Sequence, residues 1–185
     1  MSIKLFKNTN IAILIIGFIT LFSHQDTFSQ EKKTRWGVQA GIGFSGFGGN
    51  EIGYDFSVFG ATSTSRKCYV QYGLGFQSLQ YMDEDWDSDD KYNAYYISLP
   101  VNFGFHFPIG IGAFFVAAGP NFRYMVGSSD GYFDDAKKFD IGLGAKYGFE
   151  FYHVQLGMGY EYGLMSVYDN GDHNSYLNFT VSVVF

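Results

Sequence analysis

The sequence predicts an all-β fold, an eight-stranded antiparallel up-and-down barrel that crosses a membrane. Three observations carry that prediction. After Thr34, side chains alternate between apolar and small or polar over nearly the whole chain, the period of a strand with two unlike faces. The 185 residues include 24 Gly, 21 Phe and 15 Tyr, while only 16% are charged. The apolar side of each alternating run carries no charge, as a lipid-facing surface requires, because Lys or Arg at a bilayer midplane costs about 2–4 kcal/mol.

Composition narrows the function classes. The length suits one domain. With 12 Lys+Arg against 18 Asp+Glu, the net charge is -6, and no nucleic-acid partner is expected, since phosphates demand a basic face. A single Cys excludes a disulfide framework and a Cys-rich metal site. Mean hydropathy is near zero, unlike a polytopic helical membrane protein, and an aromatic content of 21% is unlike a disordered chain.

Residues 1–29 read as a cleaved secretory signal. Lys4 and Lys7 precede an apolar run, Ile11 to Phe22, of twelve residues. A spanning helix needs about 20. Thr27 and Ser29 place small residues at the third and first positions before a cut, so cleavage is expected ahead of Gln30. No Cys follows the run, so a lipoprotein signal is not expected. Residues 30–185 then form the barrel domain, with 10 of the 12 bases and 17 of the 18 acids.

The strands follow in order. Trp36, Val38, Ala40, Ile42 and Phe44 form the first apolar side, with Gly37, Gly41 and Gly43 opposite. Ile52, Tyr54, Phe56 and Val58 form the second, and Cys68, Val70, Tyr72, Leu74 and Phe76 the third. Tyr95, Ile97, Leu99, Val101, Phe103 and Phe105 form the fourth, and Phe114, Val116, Ala118, Phe122 and Tyr124 the fifth. The sixth is the most regular: Phe139, Ile141, Leu143, Ala145, Tyr147 and Phe149 against Asp140, Gly142, Gly144, Lys146, Gly148 and Glu150. Leu156, Met158, Tyr160, Tyr162 and Leu164 make the seventh, and Leu177, Phe179, Val181, Val183 and Phe185 close the chain. Such runs match the roughly 9–11 residues of a tilted membrane strand. Pro100 and Pro120 fall inside strands, where a missing N–H calls for a bulge, and Leu79 and Tyr81 interrupt the parity of the third strand.

Connections alternate in length. Residues 82–91, 127–138 and 165–174 are the long ones; 62–66, 106–112 and 151–153 are short, and 46–51, which falls on the long side of the alternation, is shorter than the pattern expects. Outer-membrane barrels place short turns in the periplasm and longer loops outside the cell. Alternation by itself also fits a soluble, lipocalin-like barrel. The non-apolar face decides between them. It is mostly Gly, Ser, Gln and Asn, a poor surface for solubility but a fitting interior for a narrow barrel. Trp36, Tyr54, Tyr95, Tyr124 and Tyr162 lie toward strand ends, as an interfacial girdle requires.

The fourth strand carries Tyr96-Ile97-Ser98-Leu99-Pro100-Val101-Asn102-Phe103-Gly104-Phe105, and the fifth carries Ala118-Gly119-Pro120. These resemble the Tyr-x-x-Ile/Leu-Pro strand and the Ala-Gly-Pro strand of the outer-membrane β-barrel domain common in Bacteroidota, the PorT-like group. Asp140-Ile141-Gly142-Leu143-Gly144 and the terminal Phe185 are similar too. Ser98 stands where that family often has an acid, and Asn102-Phe103 where it often has aliphatics. The resemblance implies an eight-stranded barrel of OmpA/OmpX-like architecture in the cell outer membrane, and it makes both strand prolines ordinary. It implies no single activity, so no functional residue is carried over.

The predicted lumen charges are Asp55, Arg123, Asp140, Lys146, Glu150 and Glu161. An eight-stranded barrel is just wide enough for side chains to fill, and buried charges are tolerated when paired. A plug of ion pairs is therefore expected, with a proton or ion path as the rival. The loop residues Asp83, Glu84, Asp85, Asp87, Asp89 and Asp90 put six carboxylates in eight positions. They offer oxygens for weak Ca²⁺ binding, but the Gly and final Glu of an EF-hand are missing, so the simpler expectation is a solvated acidic loop. No other cofactor is called for.

Catalysis is not expected. Asp172, His173 and Ser175 share one loop, with Ser128 and Ser129 on another, and no nucleophile-elbow motif supports them. His106 and His153 are expected at the periplasmic rim, and Cys68 reads as a small apolar residue on the lipid side. The expected role is structural or interactive. Acidic loops tipped by Trp86, Tyr132, Phe133 and Tyr168 would face lipopolysaccharide or an envelope or extracellular protein. A narrow small-solute channel and an accessory of a protein-secretion system are the alternatives.

Overall fold

The computed structural model describes residues 33–45, 51–82, 91–129, 137–166 and 173–185. They form eight strands: β1 (Thr34–Ser45), β2 (Glu51–Ser63), β3 (Cys68–Met82), β4 (Lys91–Ile109), β5 (Gly112–Ser128), β6 (Phe139–Phe151), β7 (Val154–Ser166) and β8 (His173–Val184). Each pairs antiparallel with the next, and β8 pairs with β1, so the sheet closes as a barrel in chain order. Closure removes every edge strand. Residues 1–29 and the loop 83–90 lie outside the described residues.

The facing follows the alternation. Ile42, Leu74, Phe103, Leu143, Phe149, Leu156 and Val181 are among the side chains exposed on the outside. Inward positions are buried and rich in Gly, Ser, Gln and Asn. Leu79 is 0% exposed and points inward with Gln77 and Gly75. The parity of β3 therefore holds, and the expected interruption at Leu79 is an apolar residue placed in the lumen.

The strand prolines also behave differently from expectation. Bridges are absent beside Pro100 on the β3 side and beside Pro120 on the β4 side, yet register is identical before and after each gap. No bulge forms there, because proline lacks a donor toward one neighbour only. Pro100 keeps its place opposite Asn121, and Pro120 opposite Leu143. The register shift of the β4–β5 pair lies instead between Tyr95 and Tyr96, with Val126 as the extra residue on β5. A further correction concerns 106–112: β4 runs on to Ile109, leaving Gly110 and Ile111 as the turn. Gly110 adopts a φ of 55°, a left-handed conformation that costs glycine least.

The lumen holds more bulk than its polar composition suggests. Phe59, Tyr69 and Val184, with Ala61 and Ala117, form a buried cluster toward the short-turn end, and Phe115 is buried as well. Leu79, Tyr96, Met125 and Tyr176 are buried toward the long-loop end. Glycines make the room. A Cβ at Gly37 would meet the Phe59 ring, one at Gly104 the Tyr69 ring, one at Gly53 the Tyr176 ring, and one at Gly148 the Phe115 ring. Small positions on one strand thus receive large side chains from another, which is how a narrow barrel fills to native density.

Candidate functional site

The lumen is tied together at three levels. At the short-turn end Glu150 is the hub. Arg35 reaches it from β1 with both guanidinium nitrogens, Nη1 to Oε1 and Nη2 to Oε2, the latter at 3.1 Å. Such two-pronged pairs are the stronger kind. Gln155 Nε2 donates to Glu150 Oε2 at 2.7 Å, and His106 Nε2 lies 3.3 Å from the same oxygen. The His106 ring stacks on Tyr69 at 4.5 Å and meets Phe115 edge-on at 6.3 Å. β1 and β6 are not neighbours in the sheet, so Arg35 and Glu150 form a strap across the barrel.

At the middle level Asp55 accepts hydrogen bonds from Gln39 Nε2 at 3.3 Å, Asn178 Nδ2 at 3.0 Å and Tyr176 Oη at 3.1 Å. At the long-loop end Arg123 is fully buried. Its Nη2 donates to Asp140 Oδ2 at 2.5 Å, and its Nη1 lies 3.8 Å from Glu161. Register places Arg123 directly opposite Asp140. Asn174 Nδ2 and the Met165 amide also donate to Asp140, at 3.0 and 3.3 Å. Glu161 accepts from Asn121 at 2.9 Å and from Gln77, across the lumen on β3, at 3.2 Å.

All six charges expected in the lumen are found there. Lys146 and Glu161, on the adjacent strands β6 and β7, do not form an ion pair: Lys146 is opposite Gly159, and Glu161 is opposite Gly144. Lys146 Nζ instead lies 5.9 Å from the Phe59 ring centre, within cation–π range. A cavity of about 60 Å³ lies beside it, lined by Gln39, Asp55, Gln77, Glu161 and Asn178 among others. Sequence reasoning missed Arg35 and treated His106 as a rim residue. Both fall on the inward parity of their strands, and that signal was available. It also missed the amides Gln39, Gln77, Asn121, Asn174 and Asn178, whose role depends on which strands face one another across the barrel.

Several expected features are only partly covered. The carboxylates of 83–90 and the loop aromatics Trp86, Tyr132, Phe133 and Tyr168 lie outside the described residues, as does Asp172. His173 is stacked on Tyr162 at 5.4 Å, and its Nδ1 is 2.9 Å from the Gly163 carbonyl. Ser129 Oγ accepts the Asn93 amide at 2.8 Å, and Ser175 is buried. His153 Nδ1 lies 2.9 Å from the Val184 carbonyl at the short-turn rim, and Cys68 is a half-buried free thiol.

Residues 6–169 match the family model described as outer membrane protein beta-barrel domain. The chain belongs to that family. Among solved structures it resembles the outer membrane enzyme PagL, with a TM-score of 0.60 and 13% identity over 80% of this chain and 98% of that one. It also resembles Neisserial surface protein A, with a TM-score of 0.51 and 16% identity over 82% and 97%. At these identities the likeness is one of fold. No curated protein matches the sequence. Family and fold place the barrel in the outer membrane. Its short turns then face the periplasm and its longer loops the cell exterior.

Proposed function

We propose that this barrel is a non-conducting outer-membrane scaffold that offers its extracellular loops to lipopolysaccharide or to an envelope or extracellular protein. The observation that carries the proposal is closure of the lumen at both ends. Arg35–Glu150 with Tyr69, Phe59 and Phe115 fills the periplasmic side, and Arg123–Asp140 with Tyr96, Leu79 and Tyr176 fills the other. Such packing at both ends argues against a continuous water column, and a rigid barrel holds surface loops at fixed spacing. The acidic stretch Asp83 to Asp90 is the most distinctive of those loops. Divalent cations shared with lipid phosphates, or weak Ca²⁺ binding by the loop itself, would offset its charge.

Export depends on residues 1–29 as a cleaved signal, and the strand motifs ending at Pro100 and Pro120 favour the PorT-like group. That resemblance is also what supports an accessory role in protein secretion. A narrow small-solute channel is the second functional reading, favoured by the polar cavity beside Lys146. Planar-bilayer recording with the purified protein separates the two. A silent membrane agrees with the scaffold, and clear stepwise current decides for the channel. Crosslinking in intact cells, followed by denaturing purification, should recover a specific envelope or surface partner. Recovery of subunits of a secretion machine would favour the accessory role.

A further inference from the structure

The periplasmic rim of β1–β3 is a cationic ledge. Lys33, Arg66 and Lys67 are all exposed there, and none makes an ion pair with a described carboxylate. The Ser63 amide donates to the Lys33 carbonyl at 3.2 Å, so the chain entering β1 runs beside the β2–β3 turn. That turn is pinned. The Thr64 and Ser65 amides donate to the Cys68 carbonyl, the Cys68 amide donates to Ser65 Oγ, and the His106 amide donates to the Lys67 carbonyl. Among the described residues the only side-chain carboxylate at this end is Glu150, which lies in the lumen and is held by Arg35; the backbone of Phe185 also reaches this rim, paired with Trp36. Three positive charges therefore stand without an ion-pair partner among the described residues, on one sector of a chain whose net charge is negative.

The depth of the ledge says what it meets. On the lipid face of the same strands Trp36 and Tyr72 pack edge-on at 6.3 Å, and both are exposed. Trp and Tyr lie at headgroup level. At about 3.3 Å per residue, Lys33 is roughly 10 Å and Lys67 roughly 16 Å further along their strands, and strand tilt reduces the vertical distance. Long cationic side chains bend back toward the interface. We infer that Lys33, Arg66 and Lys67, beneath the Trp36–Tyr72 pair, form a docking site for the phosphate headgroup of an anionic phospholipid in the periplasmic leaflet. The inference rests on the orientation of the barrel and is independent of whether the lumen is sealed.

Trp36 is a built-in reporter, because Trp86 is the only other tryptophan. The full protein carrying Trp86→Phe is reconstituted in nanodiscs, and quenching of Trp36 is compared for brominated phosphatidylglycerol and brominated phosphatidylcholine. A cation near an anionic membrane surface is worth roughly fivefold in binding, so a preference for phosphatidylglycerol of at least tenfold is expected, weakening at high salt. Lys33→Gln, Arg66→Gln and Lys67→Gln together should abolish it, while Lys137→Gln with Lys138→Gln at the opposite end should not. Heat-dependent gel migration confirms that each variant is folded. Equal quenching by the two lipids in the parent assigns the ledge to some other periplasmic partner and overturns the inference. A preference that survives in the triple variant, or that is lost equally in the opposite-end control, overturns it as well.

Discussion

Replacing Arg123 by Met removes the one fully buried guanidinium of the lumen while keeping much of its volume. Arg123 Nη2 is 2.5 Å from Asp140 and Nη1 is 3.8 Å from Glu161. Taking away one partner of a buried pair costs about 3–5 kcal/mol, since the other charge is left uncompensated. Asp140 would keep the donors Asn174 and the Met165 amide, and Glu161 would keep Gln77 and Asn121. Those four neutral donors place the expected loss at the lower end, about 3 kcal/mol. Urea unfolding of the barrel in detergent or lipid, followed by intrinsic fluorescence, measures it. Adding Asp140→Asn should return most of the loss, because replacing a whole buried pair by neutral groups is often close to neutral. The two singles and the double form a cycle whose coupling energy isolates the pair. A loss below about 1 kcal/mol for Arg123→Met, or a double variant as unstable as the sum of the singles, would refute the claim that this ion pair holds the extracellular end of the lumen.

Three other outcomes are expected. Leu143→Arg places a cation on the lipid face near mid-strand and should cost about 2–4 kcal/mol and impair assembly, seen as loss of the heat-modifiable folded band. Gly148→Ala should destabilise by about 1–3 kcal/mol through overpacking, because its Cβ would lie 2.7 Å from the Gly157 Cα and 2.8 Å from the Phe115 ring. Gly144→Ser should be milder in the same unfolding assay, since its Cβ would meet the movable Glu161 side chain at 3.2 Å. Asp85→Asn with Asp87→Asn tests calcium at the acidic loop: any Ca²⁺-dependent rise in Tm of the parent should disappear, and its persistence moves the site elsewhere.

How much of this could be read from the residues alone follows from what a period of two encodes. It fixes which side chains share a face, so the outward set from Phe139 to Phe149 was legible residue by residue, and so was the inward placement of Asp140, Lys146 and Glu150. Directly opposed pairs such as Arg123 and Asp140 were within reach once a hairpin was assumed. Contacts across the lumen were not. Gln77 meets Glu161 from β7, and Arg35 meets Glu150 from β6, and both meetings depend on strand number and stagger, which alternation does not contain. Bulky inward residues were hidden for a related reason. Phe59 and Phe115 look like lipid-facing aromatics until their parity is counted against Gly37 and Gly148.

The straps across the barrel bear on how the chain is assembled. Arg35 and Glu150 are 115 residues apart, and Asp55 and Asn178 are 123 apart. Neither contact can form while only the first hairpins are in place. A half-built sheet would carry these ionised groups without partners in an apolar surrounding, where they are costly. Arg35 can meet Glu150 once β6 is in place; β8 then supplies Tyr176 and Asn178, two of the three donors to Asp55, and closes the sheet against β1, so insertion should behave as an all-or-none event. A chain cut short before β8 would then be rejected by its own interior and cleared by envelope proteases, with no stable, leaky seven-stranded remnant.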